Sequence, residues 1–446
     1  MPVALMSARR RLSGFRTLPL RVLRRVGALL RPPAPAAPAQ APEPAPRAFL
    51  SIDYSAEPTA GLIRIFVTAS APESTPATLV LKARDGEALY SADIALAPHE
   101  QTRWLALHGH LLGDGVHAIR IELVDAQGAL LAQADASVFA QNRGALAERV
   151  AETLKRQGAP VVIDQCGSEL YDYADRHATP WFDREPEVAG AHIATLLQDG
   201  VIDAAEATAL GQFVEQGFLV VEDLLGADEL EALNLAIDDA VASRREGYEW
   251  GSSQRLHNLH EPYPAVRKLW LHPKVMRLLD LIFDAPARPC QSLTYVFGSQ
   301  QDHHQDTIHL TPFPAGYMCG VWTALEDVQP SSGELMVYPG THRLPRIYRQ
   351  TVDLPPVVDG DWTGFGDKVV ARWKQMLDEA AITPQVYRPK AGTVLIWHEN
   401  LMHAGSVRED LTRSRKSIVC HYFAEGVVGY YDSSATPGAM HLDARG

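Results

Sequence analysis

The sequence predicts an α+β protein in which a β-sandwich or barrel is braced by helices and preceded by an all-β, immunoglobulin-like sandwich. Three observations carry this expectation. Between residues 48 and 140, seven short runs rich in β-formers follow one another, many alternating apolar and polar residues. From about residue 203 to 283 the apolar residues recur at helical spacing. Beyond residue 290 strand-like segments dominate again. Helices followed by many strands point to an α+β layout.

The first 47 residues stand apart. They hold nine arginines and one acid, Glu43, so they carry +8 of a total formal charge of −13, and the rest carries −21. Arginines interrupt every apolar run in "MPVALMSARRRLSGFRTLPLRVLRRVGALL", which leaves no signal-peptide core and no membrane span. Two readings remain: a disordered basic tail, which is preferred, and an amphipathic segment making weak contact with an anionic membrane surface. "PPAPAAPAQAPEPAP" has proline at seven of fifteen positions, a stiff extended linker. The acidic body argues against nucleic-acid binding. Four well-separated cysteines, with no CxxC, argue against a disulfide framework and a thiolate zinc site and suit the cytoplasm. The expected location is cytoplasmic, with the tail leaving a peripheral membrane association open.

The seven runs are "FLSIDYS", "LIRIFVTAS", "ATLVLKA", "ALYSADIALA", "QTRWLALHG", "GVHAIRIELVDA" and "LLAQADASVFA". Their number and spacing suggest the immunoglobulin-like sandwich over 48–141. Such a module serves either as a docking unit or as a spacer. Residues 142–202 read as a connector. It opens with the helix "RGALAERVAETLKRQG" and continues into the aromatic cluster "YDYADRHATPWFD", read as an interdomain packing surface rather than a stacking platform for ligand. Residues 203–446 form the third unit. "ALGQFVEQGFLVVEDLL" gives a helix, a stop at Gly217 and a strand. "DELEALNLAIDDAVASRRE" aligns Leu230, Leu233, Ile237 and Val241, and "HPKVMRLLDLIF" starts with Pro273 at its first turn. The stretch 344–388 interrupts the later strands, contains the helical run "DKVVARWKQMLDEAA", and is long enough to wall a substrate site.

"QDHHQDTIHL" (301–310) raises the question of a metal. A His-x-Asp/Glu pair is weak alone: this composition gives about two by chance, and the chain has two, at His304/Asp306 and His441/Asp443. The second lies at the C-terminus, where closing a site is difficult. The first follows "CQSLTYVFGS", read as a strand running into the motif, so His304 and Asp306 share a face while His303 points away. His309 falls at the edge of the site or on the surface. A third ligand is sought in "GTVLIWHENLMHAGS", where His398 and His403 are candidates. Two histidines and a carboxylate suit a non-haem iron(II) oxygenase, and equally a zinc hydrolase. Arg413, Arg415 and Lys416 follow, and an arginine there could hold a carboxylate through two bonds.

Five segments in order now carry a resemblance. "GFLVVEDLL", "GSQQDHHQDT", "VWTALEDVQPSSGELMVYPGTHR", "WHENLMHAGS" and "RKSIVCHYF" make residues 205 to 425 similar to the phytanoyl-CoA dioxygenase family of iron(II)- and 2-oxoglutarate-dependent oxygenases. The resemblance implies a double-stranded β-helix, the jelly-roll or cupin-like fold, for 203–446. It implies His304, Asp306 and His403 as catalytic iron ligands, Arg415 as the anchor of the far carboxylate of 2-oxoglutarate, and Trp322 and Ser406 (or its neighbour Gly405) as further cosubstrate contacts. His398 and His342 are read as structural. The retained carboxylate at Asp306 implies hydroxylation or a related oxidation rather than halogenation. Fe(II), 2-oxoglutarate and O2 are the implied cofactors, with ascorbate in support. The substrate would be a small-molecule, lipid or glycan-type compound, with Arg255, His257 and Tyr263 in "SSQRLHNLHEPYPAVRKLW" as pocket candidates. The alternative is a non-catalytic ligand-binding or interaction protein on a degenerate oxygenase fold, with the β-sandwich as its docking module.

Overall fold

The computed structural model describes residues 48–438, apart from 56 and 58, together with 440. The tail and linker readings for residues 1–47 and the His441/Asp443 pair lie outside the described residues. Among the described residues no helix is long and apolar enough to cross a membrane.

Seven strands stand where alternation placed them: β1 (Phe49–Tyr54), β2 (Leu62–Ser70), β3 (Thr75–Ala83), β4 (Ala88–Leu96), β5 (Gln101–His108), β6 (Gly115–Val124) and β7 (Leu130–Ala140). They form two antiparallel sheets, β1-β2-β5 and β4-β3-β6-β7. A short strand, β8 (Val162–Ile163), extends the first sheet beyond β5. In β2 the odd-numbered Ile63, Ile65 and Val67 are buried while Arg64, Phe66 and Thr68 are partly exposed. That two-residue period packs one face against Leu79, Leu81, Ile121 and Val138 of the opposite sheet.

Helices connect these sheets to the C-terminal region and brace it. A single turn, α1 (Gly109–Leu112), and α2 (Gly144–Gln157) lead out of the first sheets. Helices α3 (Pro186–Gln198), α4 (Ala204–Gln216), α5 (Ala227–Ala242), α6 (Pro264–Trp270) and α7 (Pro273–Phe283) come next, and α8 (Ala371–Ala380) lies late in the chain. Asp203 and Glu206 form a reciprocal capping box at the start of α4. The helix ends at Gly217, whose φ of 82° is the left-handed conformation glycine adopts without strain.

The remaining strands are β9 (Phe218–Val221), β10 (Arg255–His257), β11 (Ala287–Tyr295), β12 (Thr311–Phe313), β13 (Met318–Ala324), β14 (Leu335–Val337), β15 (Gln385–Tyr387), β16 (Val394–His398), β17 (His403–Gly405), β18 (Ser417–Ala424), β19 (Val428–Tyr431) and β20 (Thr436–Pro437). A six-stranded antiparallel sheet runs β10-β11-β18-β13-β16-β9. Two three-stranded sheets, β15-β14-β17 and β12-β19-β20, complete the region. One face of the large sheet carries Cys319, Val321, Ile418 and Cys420 and packs on Leu233 and Ile237 of α5 and Leu279 and Ile282 of α7, the two helices read as supports. The other face, with Leu293, Trp322, Leu395 and Val419, meets Leu335 and Val337 of the small sheet β15-β14-β17.

The aromatic cluster of residues 171–183 packs inward. The Tyr171 ring stacks on Phe313 at 4.7 Å and Tyr173 on Tyr348 at 4.3 Å, while the Trp181 indole donates to the Ile282 carbonyl at 2.8 Å. The Tyr171 hydroxyl also meets His108 Nε2 at 2.9 Å, and His110 Nε2 meets the Gly426 carbonyl at 2.8 Å. The N-terminal sheets are thereby fastened to the later region through buried polar contacts as well as apolar packing.

Candidate metal centre

Register places the site. Across the large sheet, Gln291 pairs with His421, His421 with Gly320, and Gly320 with Trp397. The next row is Leu293, Val419, Trp322 and Leu395. Side chains in these rows share one face. Gly320 is the gap that admits its neighbours: a Cβ there would fall 2.2 Å from Cε2 of Trp397. A cavity of about 480 Å³ opens over this face and is closed from the other side by Leu335, His403, Ala404 and Gly405.

His304, Asp306 and His403 converge in that cavity, each buried, with their candidate ligand atoms all within 4.8 Å of one another. Asp306 Oδ1 stands 3.7 Å from His304 Nε2 and 3.8 Å from His403 Nε2. The strand expected to run into the motif ends at Tyr295, eight residues before His303. What aligns the ligands instead is a backbone bridge: His304 N donates to His403 O at 3.0 Å and His403 N to His304 O at 3.1 Å. Gln305 is extended (φ −101°, ψ 141°), which keeps His304 and Asp306 on one side, and Asp306 then opens a single 3-10 turn. The expectation of a shared face therefore holds for a different reason.

Hydrogen bonds fix the donor atoms. His304 Nδ1–H donates to the Asp302 carbonyl at 2.7 Å, and His403 Nδ1–H to the Leu401 carbonyl at 3.0 Å. Each bond commits Nδ1 to the proton and leaves Nε2 with its lone pair toward Asp306. Burial, with His403 beside it, pushes the His304 imidazole down to about 3, so it is neutral at ordinary pH. Burial alone would raise the Asp306 carboxyl, but His403 and then His421 outweigh it and hold the group well below the usual carboxylate range. Trp397 Nε1–H donates to Asp306 Oδ2 at 2.8 Å. Oδ1 is left for a cation. Two lone-pair imidazole nitrogens and one carboxylate oxygen, buried and facing an open cavity, are a donor set that fits a divalent transition metal with coordination positions to spare.

Arg415 enters the same cavity, its backbone N–H held by the Val296 carbonyl at 2.9 Å. The side chain is buried, its guanidinium carbon lies 5.6 Å from the Trp322 ring, and burial lowers its pKa to about 10. Arg415 Nε and Trp322 Nε1 are buried donors with no hydrogen-bond partner among the described residues. A buried cation and a buried indole N–H left in this way fit an anion in the cavity.

Other expected residues divide. Arg255 and His257, two apart on β10, line the cavity, and His257 Nδ1 is engaged by Glu246 Oε2 at 2.8 Å. Tyr263 does not line it: the residue caps α6 and its hydroxyl donates to Asp239 Oδ2 at 2.8 Å. Ser406 is likewise turned away, its hydroxyl donating to Glu334 Oε2 at 2.7 Å, whereas Gly405 borders the cavity. His309 lines the wall, stacked on Phe365. His398 points to the back of the sheet, 3.2 Å from Asp183, with His342 beside it. The 344–388 stretch supplies Trp362 and Phe365 to the wall.

Two residues escaped the sequence reading. His421 lies 3.5 Å from Asp306 Oδ2 through Nε2, and its Nδ1 accepts from Gln291 Nε2 at 3.1 Å. Counting in twos from Val419 along "SIVCHYF" would have placed it on the cavity face. Trp397 is the other, two residues beyond Leu395 on β16.

These features form a buried cluster of two histidines and one carboxylate that could hold a metal ion, beside two buried donors without partners among the described residues. Residues 213–408 match the family model described as Phytanoyl-CoA dioxygenase (PhyH). The peroxisomal phytanoyl-CoA dioxygenase of Rattus norvegicus is 24% identical over 242 residues, covering 47% of this chain and 66% of the relative. That of Bos taurus is 34% identical over 165 residues, 37% of this chain and 44% of the relative. The chain thus spans less than two thirds of the length of these curated relatives. Among solved structures, the α-ketoglutarate-dependent carbocyclase SnoK from nogalamycin biosynthesis is 20% identical, with a TM-score of 0.41 over 52% of this chain and 92% of its own. EctD from S. alaskensis with bound Fe is 20% identical, with a TM-score of 0.37 over 50% of this chain and 77% of its own.

Proposed function

We propose that the chain is an Fe(II)- and 2-oxoglutarate-dependent dioxygenase, with residues 203–446 as a double-stranded β-helix catalytic domain. The observation that carries this is the buried His304–Asp306–His403 cluster sharing one cavity with the unpartnered Arg415 donor. Iron with 2-oxoglutarate and O2 would supply oxidation of an unactivated C–H bond, with release of succinate and CO2.

The chain's own residues do the rest. His304 and His403 present Nε2, and Asp306 presents Oδ1, from positions set by backbone and indole hydrogen bonds. Arg415 takes the far carboxylate of 2-oxoglutarate in an apolar setting that strengthens the pair, with the Trp322 N–H as a second donor. Leu293, Leu335 and Val419 keep that end dry. The strand order β1-β2-β5 opposite β4-β3-β6-β7 supports an immunoglobulin-like sandwich over 48–141, serving to dock or present the substrate. Residues 142–202 connect the two domains.

Purified protein with Fe(II), ascorbate and 2-oxoglutarate is expected to release succinate at a slow uncoupled rate, and His304→Ala to release none. If no succinate forms with any compound of a broad library while metal and 2-oxoglutarate still bind, the protein is a ligand-binding module and the enzyme reading fails.

A further inference from the structure

Two residues that line the cavity, Arg255 and Trp362, are exposed. Asp306 is the sole acid among the described lining residues, while Arg415 and Arg255 are both cationic. This is unexpected in a body that carries −21 outside its first 47 residues. With Arg415 assigned to 2-oxoglutarate, Arg255 is left over. It sits on the edge strand β10, opposite Tyr295, with its side chain exposed at the cavity and Leu256 buried behind it. His257, its neighbour on that face, already has Glu246. No hydrogen bond or ion pair engages the Arg255 guanidinium among the described residues.

The same cavity has an aromatic wall. Trp362 and Phe365 lie edge to face at 5.1 Å, and His309 stacks on Phe365 at 5.4 Å. Trp362 remains 49% exposed, a large apolar surface left in contact with water at the mouth of a cavity. An exposed indole and an unpaired guanidinium lining one cavity ask for a ligand with a flat or ring-shaped body and a negative charge. A polyphosphate carrier such as a coenzyme thioester would need several cations, and the described lining residues offer one besides Arg415.

We propose that the substrate is a small molecule bearing a single oxyanion, carboxylate or phosphate, on a flat or ring-shaped body. Arg255 takes the oxyanion at the mouth, and Trp362 with Phe365 covers the body, which points its reacting carbon inward toward His304 and Asp306. This rests on the oxygenase reading, because Arg255 is left over only if Arg415 holds the cosubstrate.

The test uses the full chain loaded with Mn(II) and saturating 2-oxoglutarate, which fills the Arg415 site without turnover. Three probes share one ring body: naphthoate, naphthyl phosphate and the uncharged naphthyl methyl ether. Titration calorimetry is expected to show at least one anion binding about tenfold more tightly than the ether, the scale of one charge-assisted hydrogen bond. The tighter of the two anions names the oxyanion. Arg255→Gln should erase the preference and leave the ether unchanged, and Trp362→Ala should weaken all three by a similar factor. Equal binding of ether and anions, or an anion preference that survives Arg255→Gln, overturns the inference. Failure to take up Mn(II) or 2-oxoglutarate in the same titration overturns the oxygenase reading itself, while uptake of both without anion preference overturns this inference alone.

Discussion

Replacing Arg415 by methionine should make the ligand-free protein more stable and blind to 2-oxoglutarate. The guanidinium is buried, and burial lowers its pKa by between two and three units from the ordinary arginine value, to about 10. At 1.36 kcal/mol per pKa unit, the charge costs the fold about 3 kcal/mol. Both values lie above neutral pH, so the group is charged in the folded and unfolded chains alike, and the cost is constant through the ordinary range. It fades only as pH rises through about 10 towards the ordinary arginine value. Methionine keeps much of the volume and removes the charge. One kcal/mol moves a melting temperature by about 2–4 °C in chains of roughly 150–250 residues, so a rise of a few degrees is expected in this longer one. With Mn(II) present, 2-oxoglutarate at about a hundred times its Kd should stabilise the parent protein by about 2.7 kcal/mol and leave Arg415→Met unmoved. Scanning calorimetry with and without 2-oxoglutarate reads both effects. A variant that melts lower than the parent when ligand-free, yet still shifts with 2-oxoglutarate, would refute the assignment of Arg415 as an unpaired cation awaiting that anion.

Other consequences can be measured as directly. Trp397→Phe removes the indole donor to Asp306 while keeping a ring against His403, and should weaken Mn(II) binding by about 10- to 100-fold with the fold intact; unchanged affinity in calorimetry would show that the indole does not orient the carboxylate. Gly320→Ala drives a methyl into Trp397 and should cost about 1–3 kcal/mol in denaturant unfolding, together with metal affinity; a neutral result would mean the sheet relaxes there. Burial holds His108, His110 and His309 down at about 4. Their depressed values contribute stability that is complete above the unfolded value of 6.5 and is lost as pH falls towards 4. Circular dichroism should accordingly show stability falling steeply over that window, and a melting temperature flat between pH 6.5 and 4 would count against it. His304→Ala should abolish Mn(II) binding, and a variant that still binds with parent affinity would remove it from the ligand set.

Much of this architecture was legible because its signals are local. Period-two alternation located β1 to β7, since each strand is half buried, and helix ends were marked by Pro273, which suits a first turn, and by Gly217, whose left-handed φ favours glycine. His304 and Asp306 were legible as a spacing, whereas His403 was preferred to His398 only through the family resemblance. Other parts depend on what crosses the sheet. His421 and Trp397 reach Asp306 only because Gly320 lies between them in register, and no window of sequence contains all three. Strands β12, β17, β19 and β20 are two to four residues long, too short for a period to show. Tyr263 was read as a pocket candidate from its loop and Ser406 as a cosubstrate contact from the family resemblance, yet Asp239 and Glu334 claim their hydroxyls.

The reciprocal backbone bonds between His304 and His403 have a bearing on assembly. Two ligands 99 positions apart in the chain are brought together by main-chain pairing, which needs no cation to form. The apoprotein should thus leave the ribosome, fold, and wait with its coordinating atoms already in place. Loading becomes a late, reversible event governed by which divalent ion the surroundings offer, and a chelator can strip the protein and a fresh ion restore it without a round of refolding.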